Sequence, residues 1–133
     1  MEATMECIGD VKCGMLALSK YMMEVTTYIW KAQTEAKECV ENPNYQHWEF
    51  VCGIQHPAPS DREIYIKSAR CLTSRLQCSD AQKLWFLRAE MAKIDMRETT
   101  KPLQRLKTIE EMAELMNGFE KKFDRKVYED LEL

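Results

Sequence analysis

The chain has 133 residues, of which 45% are hydrophobic and 31% charged, with only four glycines and a net charge of −3. This composition excludes an intrinsically disordered chain, argues against a turn-dense β fold, and suffices for one core, so a single domain over residues 1–133 is expected. No stretch approaches the roughly 18 consecutive apolar residues of a membrane span, and no membrane partner is expected. The N-terminal MEATMECIGDVKCG places acids where a secretory leader needs a basic region followed by an apolar one.

The net charge conceals three blocks: −5 over residues 1–61, +6 over 62–107 and −4 over 108–133. A basic centre between acidic flanks suits either an acidic partner or self-neutralisation in the folded protein, and the second reading is preferred.

Helix punctuation divides the chain. A capping hydroxyl followed three residues later by Glu or Gln satisfies two orphan N–H groups reciprocally, and three such boxes occur: Ser60-Asp-Arg-Glu63, Ser79-Asp-Ala-Gln82 and Thr108-Ile-Glu-Glu111. Asn42-Pro43 offers a fourth start, with proline where its missing N–H is harmless. Helices are therefore predicted over about 11–41, 43–53, 61–77, 80–98 and 109–131. Gly53 ends the second, and Pro57 and Pro59 hold 54–59 open. The minimal link between the third and fourth predicts an αα-hairpin. The segment 99–107, with Pro102, is expected to hold at most a short turn of helix. The expected fold class is all-α: a helical bundle of about five helices with a long N-terminal helix, a central αα-hairpin and an amphipathic C-terminal helix.

Side chains placed at helical spacing test these elements. In the last predicted helix, Ile109, Met112, Leu115, Met116, Phe119, Phe123, Val127 and Leu131 form one stripe near heptad spacing, which reads as core, with coiled-coil pairing as the alternative. The first predicted helix has a main stripe through Met15, Leu18, Met22, Val25 and Ile29. It has a second line, Leu16, Met23 and Trp30, rotated by more than a right angle. The fourth repeats the pattern, with Leu84, Leu87, Met91 and Ile94 on one face and Trp85, Ala89, Ala92 and Met96 on another. Two doubly apolar helices exceed what a small bundle needs, so the second lines are assigned to partner binding through Leu16, Met23, Trp30, Trp85, Ala89 and Met96.

The six cysteines, at 7, 13, 39, 52, 71 and 78, allow fifteen connectivities. Cys71 and Cys78, seven apart on one predicted helix, cannot bridge each other, whereas Cys52 with Cys71 or Cys78 remains geometrically open. A well-patterned core with nine methionines does not call for staples, so reduced thiols and a cytoplasmic or nuclear location are expected, with secretion after signal removal as the alternative.

Cys52-Gly-Ile-Gln-His56 with Cys71 and Cys78 has zinc-ligand chemistry but lacks the second close pair of the common zinc patterns, so no metal or other cofactor is expected. Cys52 with His47 or His56 is too little to define a nucleophile, because catalytic partners are assembled by the fold and no recognised catalytic motif occurs. No enzyme activity is expected.

Eleven Lys and Arg residues lie in 62–107, yet Arg88 and Lys93 point in different directions on their helix, and a pI near 5.5 removes the general electrostatic drive towards nucleic acid. The reading is a non-catalytic interaction or assembly module, an adaptor or complex subunit that binds another protein or itself. A secreted, disulfide-stapled binding protein is the alternative, and a nucleic-acid-binding domain using 62–107 the lesser one.

Overall fold

A computed structural model describes residues 11–54 and 61–133. They form an all-α protein with no strand among the described residues: α1 (Val11–Glu35), α2 (Lys37–Glu41), α3 (Tyr45–Val51), α4 (Arg62–Arg75), α5 (Asp80–Thr100), a 3-10 turn (Lys101–Arg105), α6 (Ile109–Met116) and α7 (Lys126–Glu129). The chain divides into two compact units. The described part of unit 1 is residues 11–26 with Met96–Phe123, and unit 2 is Thr27–Asp95 with Asp124–Leu133.

Unit 1 contains the first part of α1, the end of α5, the 3-10 turn and α6. Gly14 is buried, and a Cβ there would collide with the Met116 carbonyl oxygen, so a residue without a side chain allows α1 to meet the end of α6. Around this contact Cys13, Tyr21, Val25 and Met116 are buried. Thr108 caps α6 by accepting from Glu111 N–H at 3.1 Å, while the Glu111 carboxylate accepts from the N–H of Lys107, one residue earlier than in the expected box.

The last predicted helix is where the structure departs most from expectation. Helix ends at Met116, Asn117 turns extended, and Gly118 takes φ +81°, the left-handed conformation that stops helices. Helix resumes only over Lys126–Glu129, so the three-heptad stripe is not one helix face. Ile109, at the start of that stripe, is 84% exposed.

Unit 2 is closed at one corner by two nested disulfides, Cys39–Cys78 and Cys52–Cys71, with Cα separations of 5.2 and 5.6 Å. Free thiols were expected, and this corrects that expectation: Cys13 is also disulfide-bonded, and no cysteine among the described residues is free. The physical reason is placement, because the breaks at Ala36 and after Val51 let α2 pack on α3 and α3 on α4. Ala36, Cys39, Leu72, Leu76 and Phe86 form the buried centre of this corner, flanked by Tyr45, Trp48 and Trp85. Closing loops of 39 and 19 residues removes entropy from the unfolded chain worth about 4 and about 3 kcal/mol respectively in the chain-entropy picture.

The caps of unit 2 follow the sequence closely. Ser79 Oγ accepts from Gln82 N–H at 3.2 Å and Gln82 Oε1 accepts from Ser79 N–H at 3.2 Å, the reciprocal box that starts α5. The cap of α4 is Asp61, whose carboxylate accepts from the N–H groups of Glu63 and Ile64; Ser60, the residue expected there, lies outside the described residues. Arg62 at the start of α4 pairs with Asp95 of α5 at 2.6 Å, and Tyr65 donates to Glu90 at 2.5 Å. Arg62 and Tyr65 on α4 thus meet Asp95 and Glu90 on α5, with residues 76–79 between the two helices in sequence.

Candidate interaction surface

The two apolar lines predicted for binding meet different fates. On α1, Leu16 is 51%, Met23 68% and Trp30 74% exposed, at a spacing that keeps them along one edge of a 25-residue helix. The opposite face of the same helix carries Tyr21, Val25, Ile29 and Ala32, all buried. The amphipathic half of the prediction is therefore physical, and the second line is surface.

On α5 the second line is packed. Ala89 is 1% exposed, and Ala92 beside it is fully buried, so neither belongs to an accessible surface. The Trp85 ring is half-buried, with the Arg88 guanidinium 4.6 Å and the Lys31 ammonium 5.5 Å from its centroid and the Tyr28 ring at 6.3 Å. Met96 is half-buried and its sulfur accepts from Thr26 Oγ1 at 3.9 Å. Of the three α5 residues assigned to partner binding, Ala89 is closed to solvent while Trp85 and Met96 are partly accessible, and α5 buries Phe86, Leu87, Met91 and Ile94 as well.

Exposed apolar residues that the sequence reading did not single out occur elsewhere. Phe50 at the end of α3 is 84% exposed, with Val51 exposed beside it. No periodic signal marks them, because α3 is only seven residues long. In unit 1, the segment 119–123 and residues 13–24 of α1 border an open groove of about 880 Å³, with Leu16, Phe119 and Phe123 as apolar lining and Lys20, Glu24 and Lys121 as polar lining. Lys20 pairs with Glu24 at 3.9 Å, and Lys121 lies 5.7 Å from the Tyr21 ring centroid. Leu16 thus belongs both to the exposed line and to the rim of this groove.

The residues considered for chemistry are otherwise occupied. Cys52 and Cys71 are joined to each other and Cys78 to Cys39, while His56 lies outside the described residues. The His47 ring lies tilted against that of Trp48 with centroids 4.8 Å apart. Much of the basic block is spent inside unit 2: Arg62 on Asp95, Lys93 on Glu90 at 3.1 Å, Arg75 over the Trp48 ring at 5.8 Å, and Arg88 and Arg70 on main-chain carbonyls. Burial raises the pKa of Tyr28, with Arg88 opposing and Glu129 reinforcing the shift, and burial together with Glu49 and Glu90 raises that of Tyr45. Both hydroxyls stay protonated at any physiological pH. No described helix is long and apolar enough to cross a membrane. Compared with known proteins, the chain matches no family model, no curated protein and no solved structure.

Proposed function

We propose that this protein is a non-catalytic, disulfide-held helical module that binds protein through the α1 line Leu16, Met23 and Trp30, with a second copy as its first candidate partner. The observation that carries the reading is the exposure of Met23 and Trp30 on a helix whose other face is fully packed. A Trp and a Met together in water suit an interface core, where aromatic and methionine side chains are enriched and adapt to the partner. The cystines favour an oxidising compartment, hence the secreted alternative over a cytoplasmic or nuclear one. The internal use of Arg62, Lys93, Arg70 and Arg88 counts against a nucleic-acid surface, since a phosphate-binding stripe needs its cations facing outward.

Sedimentation of the oxidised protein over a range of concentrations tests the reading. The wild type is expected to associate, and Met23→Ser with Trp30→Ser to remain monomeric with an unchanged melting curve. A wild type that stays monomeric throughout, or a variant that associates equally well, removes self-association through α1.

A further inference from the structure

The open groove of about 880 Å³ in unit 1 has walls set by the backbone. Gly14 lets α1 approach the Met116 carbonyl, and Gly118 at φ +81° then turns the chain into residues 119–123, the second wall. A recess of this volume falls in the range of about 300–1,000 Å³ taken by single small molecules, whereas a stable protein partner needs a face of roughly 800 Å².

The lining along α1 changes character from one end to the other. Cys13, Leu16 and Ala17 come first, and Lys20, Tyr21 and Glu24 follow further along the helix. At a rise of about 1.5 Å per residue this lined stretch is about 16 Å long. On the facing segment Phe119 and Phe123 are half-buried, with Lys121 and Lys122 exposed between them. Lys121 belongs to the charged end, because its ammonium lies 5.7 Å from the centroid of the Tyr21 ring, which is 2% exposed.

The charges at that end are available. The described lining carries Lys20, Lys121 and Lys122 against Glu24 and Glu120, a surplus of one cation. Lys20 reaches Glu24 only at 3.9 Å with both side chains well exposed, a pair of little strength. Among the described residues neither Lys121 nor Lys122 has a carboxylate partner. An elongated recess, apolar at one end and cationic at the other, has the shape and polarity of a linear molecule with an apolar tail and an anionic head.

We propose that this groove binds one single-chain amphiphile with an anionic head, of which a free fatty-acid anion is the simplest form. The tail lies along Leu16, Phe119 and Phe123, and the carboxylate accepts from the ammonium groups of Lys20 and Lys121. Each methylene taken from water favours binding by up to roughly fourfold, so the tail supplies most of the affinity and the lysines set the orientation. Met23 and Trp30 are not in the lining, so the site does not rest on self-association through α1.

The test uses the oxidised full chain carrying Met23→Ser and Trp30→Ser, so that association through α1 is not mistaken for ligand binding. Calorimetric titration with dodecanoate, kept below its micelle-forming concentration, is expected to saturate at one molecule per chain. Affinity is expected to rise by about threefold or more at each step from octanoate to decanoate to dodecanoate. Adding Lys20→Gln with Lys121→Gln, two exposed positions, is expected to weaken dodecanoate by about fivefold or more and to leave dodecanol within about twofold. Binding that does not saturate at one per chain, an affinity indifferent to tail length, or lysine variants that treat dodecanoate and dodecanol alike each overturn the proposal.

Discussion

Two helices with the same sequence pattern, α1 and α5, are used in opposite ways. Each carries two apolar lines, yet α1 leaves Met23 and Trp30 in water whereas α5 buries Ala89 and Ala92 and encloses Trp85 between Arg88, Lys31 and Tyr28. The difference lies in the neighbours. Within unit 2, α5 is covered by α4 through Tyr65 and Arg62 and by the C-terminal segment through Tyr128 and Arg88. An apolar periodicity thus counts the faces of a helix but not the layers that will cover them.

The largest expected effect tests that contrast directly. Ala89→Glu, which places an unpaired carboxylate in a closed site, is expected to cost on the order of 5 kcal/mol, while Trp30→Glu stays within about 0.5 kcal/mol, both read by chemical denaturation. Equal costs at the two positions would erase the distinction between the helices. Next come the staples that hold the corner packed against α5. Replacing Cys39 and Cys78 together by Ser is expected to lower stability by about 4 kcal/mol, and Cys52 with Cys71 by about 3 kcal/mol, with the order following loop length. Within α1 the packed and open faces separate at smaller cost. Gly14→Ala is expected to destabilise by about 2 kcal/mol because the Met116 backbone must move, whereas Leu16→Ala, on the exposed line, changes stability little in the same denaturation series. The smallest effect is alkaline. Tyr28 and Tyr45 have pKa values raised above the ordinary 10.0, so their contribution is complete below that pH and is lost as pH rises through the folded values. Tyrosinate absorbance should show these two rings ionising above the ordinary 10.0, and a loss of stability that begins well below pH 10 would contradict the assignment.

What could be read from the sequence followed local chemistry. Ser79 and Gln82 form the box their spacing predicts, because a cap is settled within four residues. The helix-stopping Asn117-Gly118 was equally legible, but the apolar spacing from Ile109 to Leu131 outweighed it, and the structure follows the glycine. Gly14 was a similar signal, a glycine inside a helix, whose reason appears only once Met116 is beside it. Of the proposed contact residues, Leu16, Met23 and Trp30 are exposed, Trp85 and Met96 partly so and Ala89 not at all, and the Tyr28 ring beside Trp85 is far from it in sequence. The cysteine pairing was hidden for the same reason. Cys39 on an apolar face resembles any small core residue until the break at Ala36 turns it towards Cys78.

Everything proposed for the surfaces presupposes that oxidised corner. Peptide mapping of the unreduced protein, alkylated before digestion, tests it most directly. The expected result is one fragment pair joined through Cys39 and Cys78 and another through Cys52 and Cys71, with no alkylation at these four positions. Alkylated thiols at any of the four, or Cys52 joined to Cys78, would contradict the corner and with it the oxidised binding module.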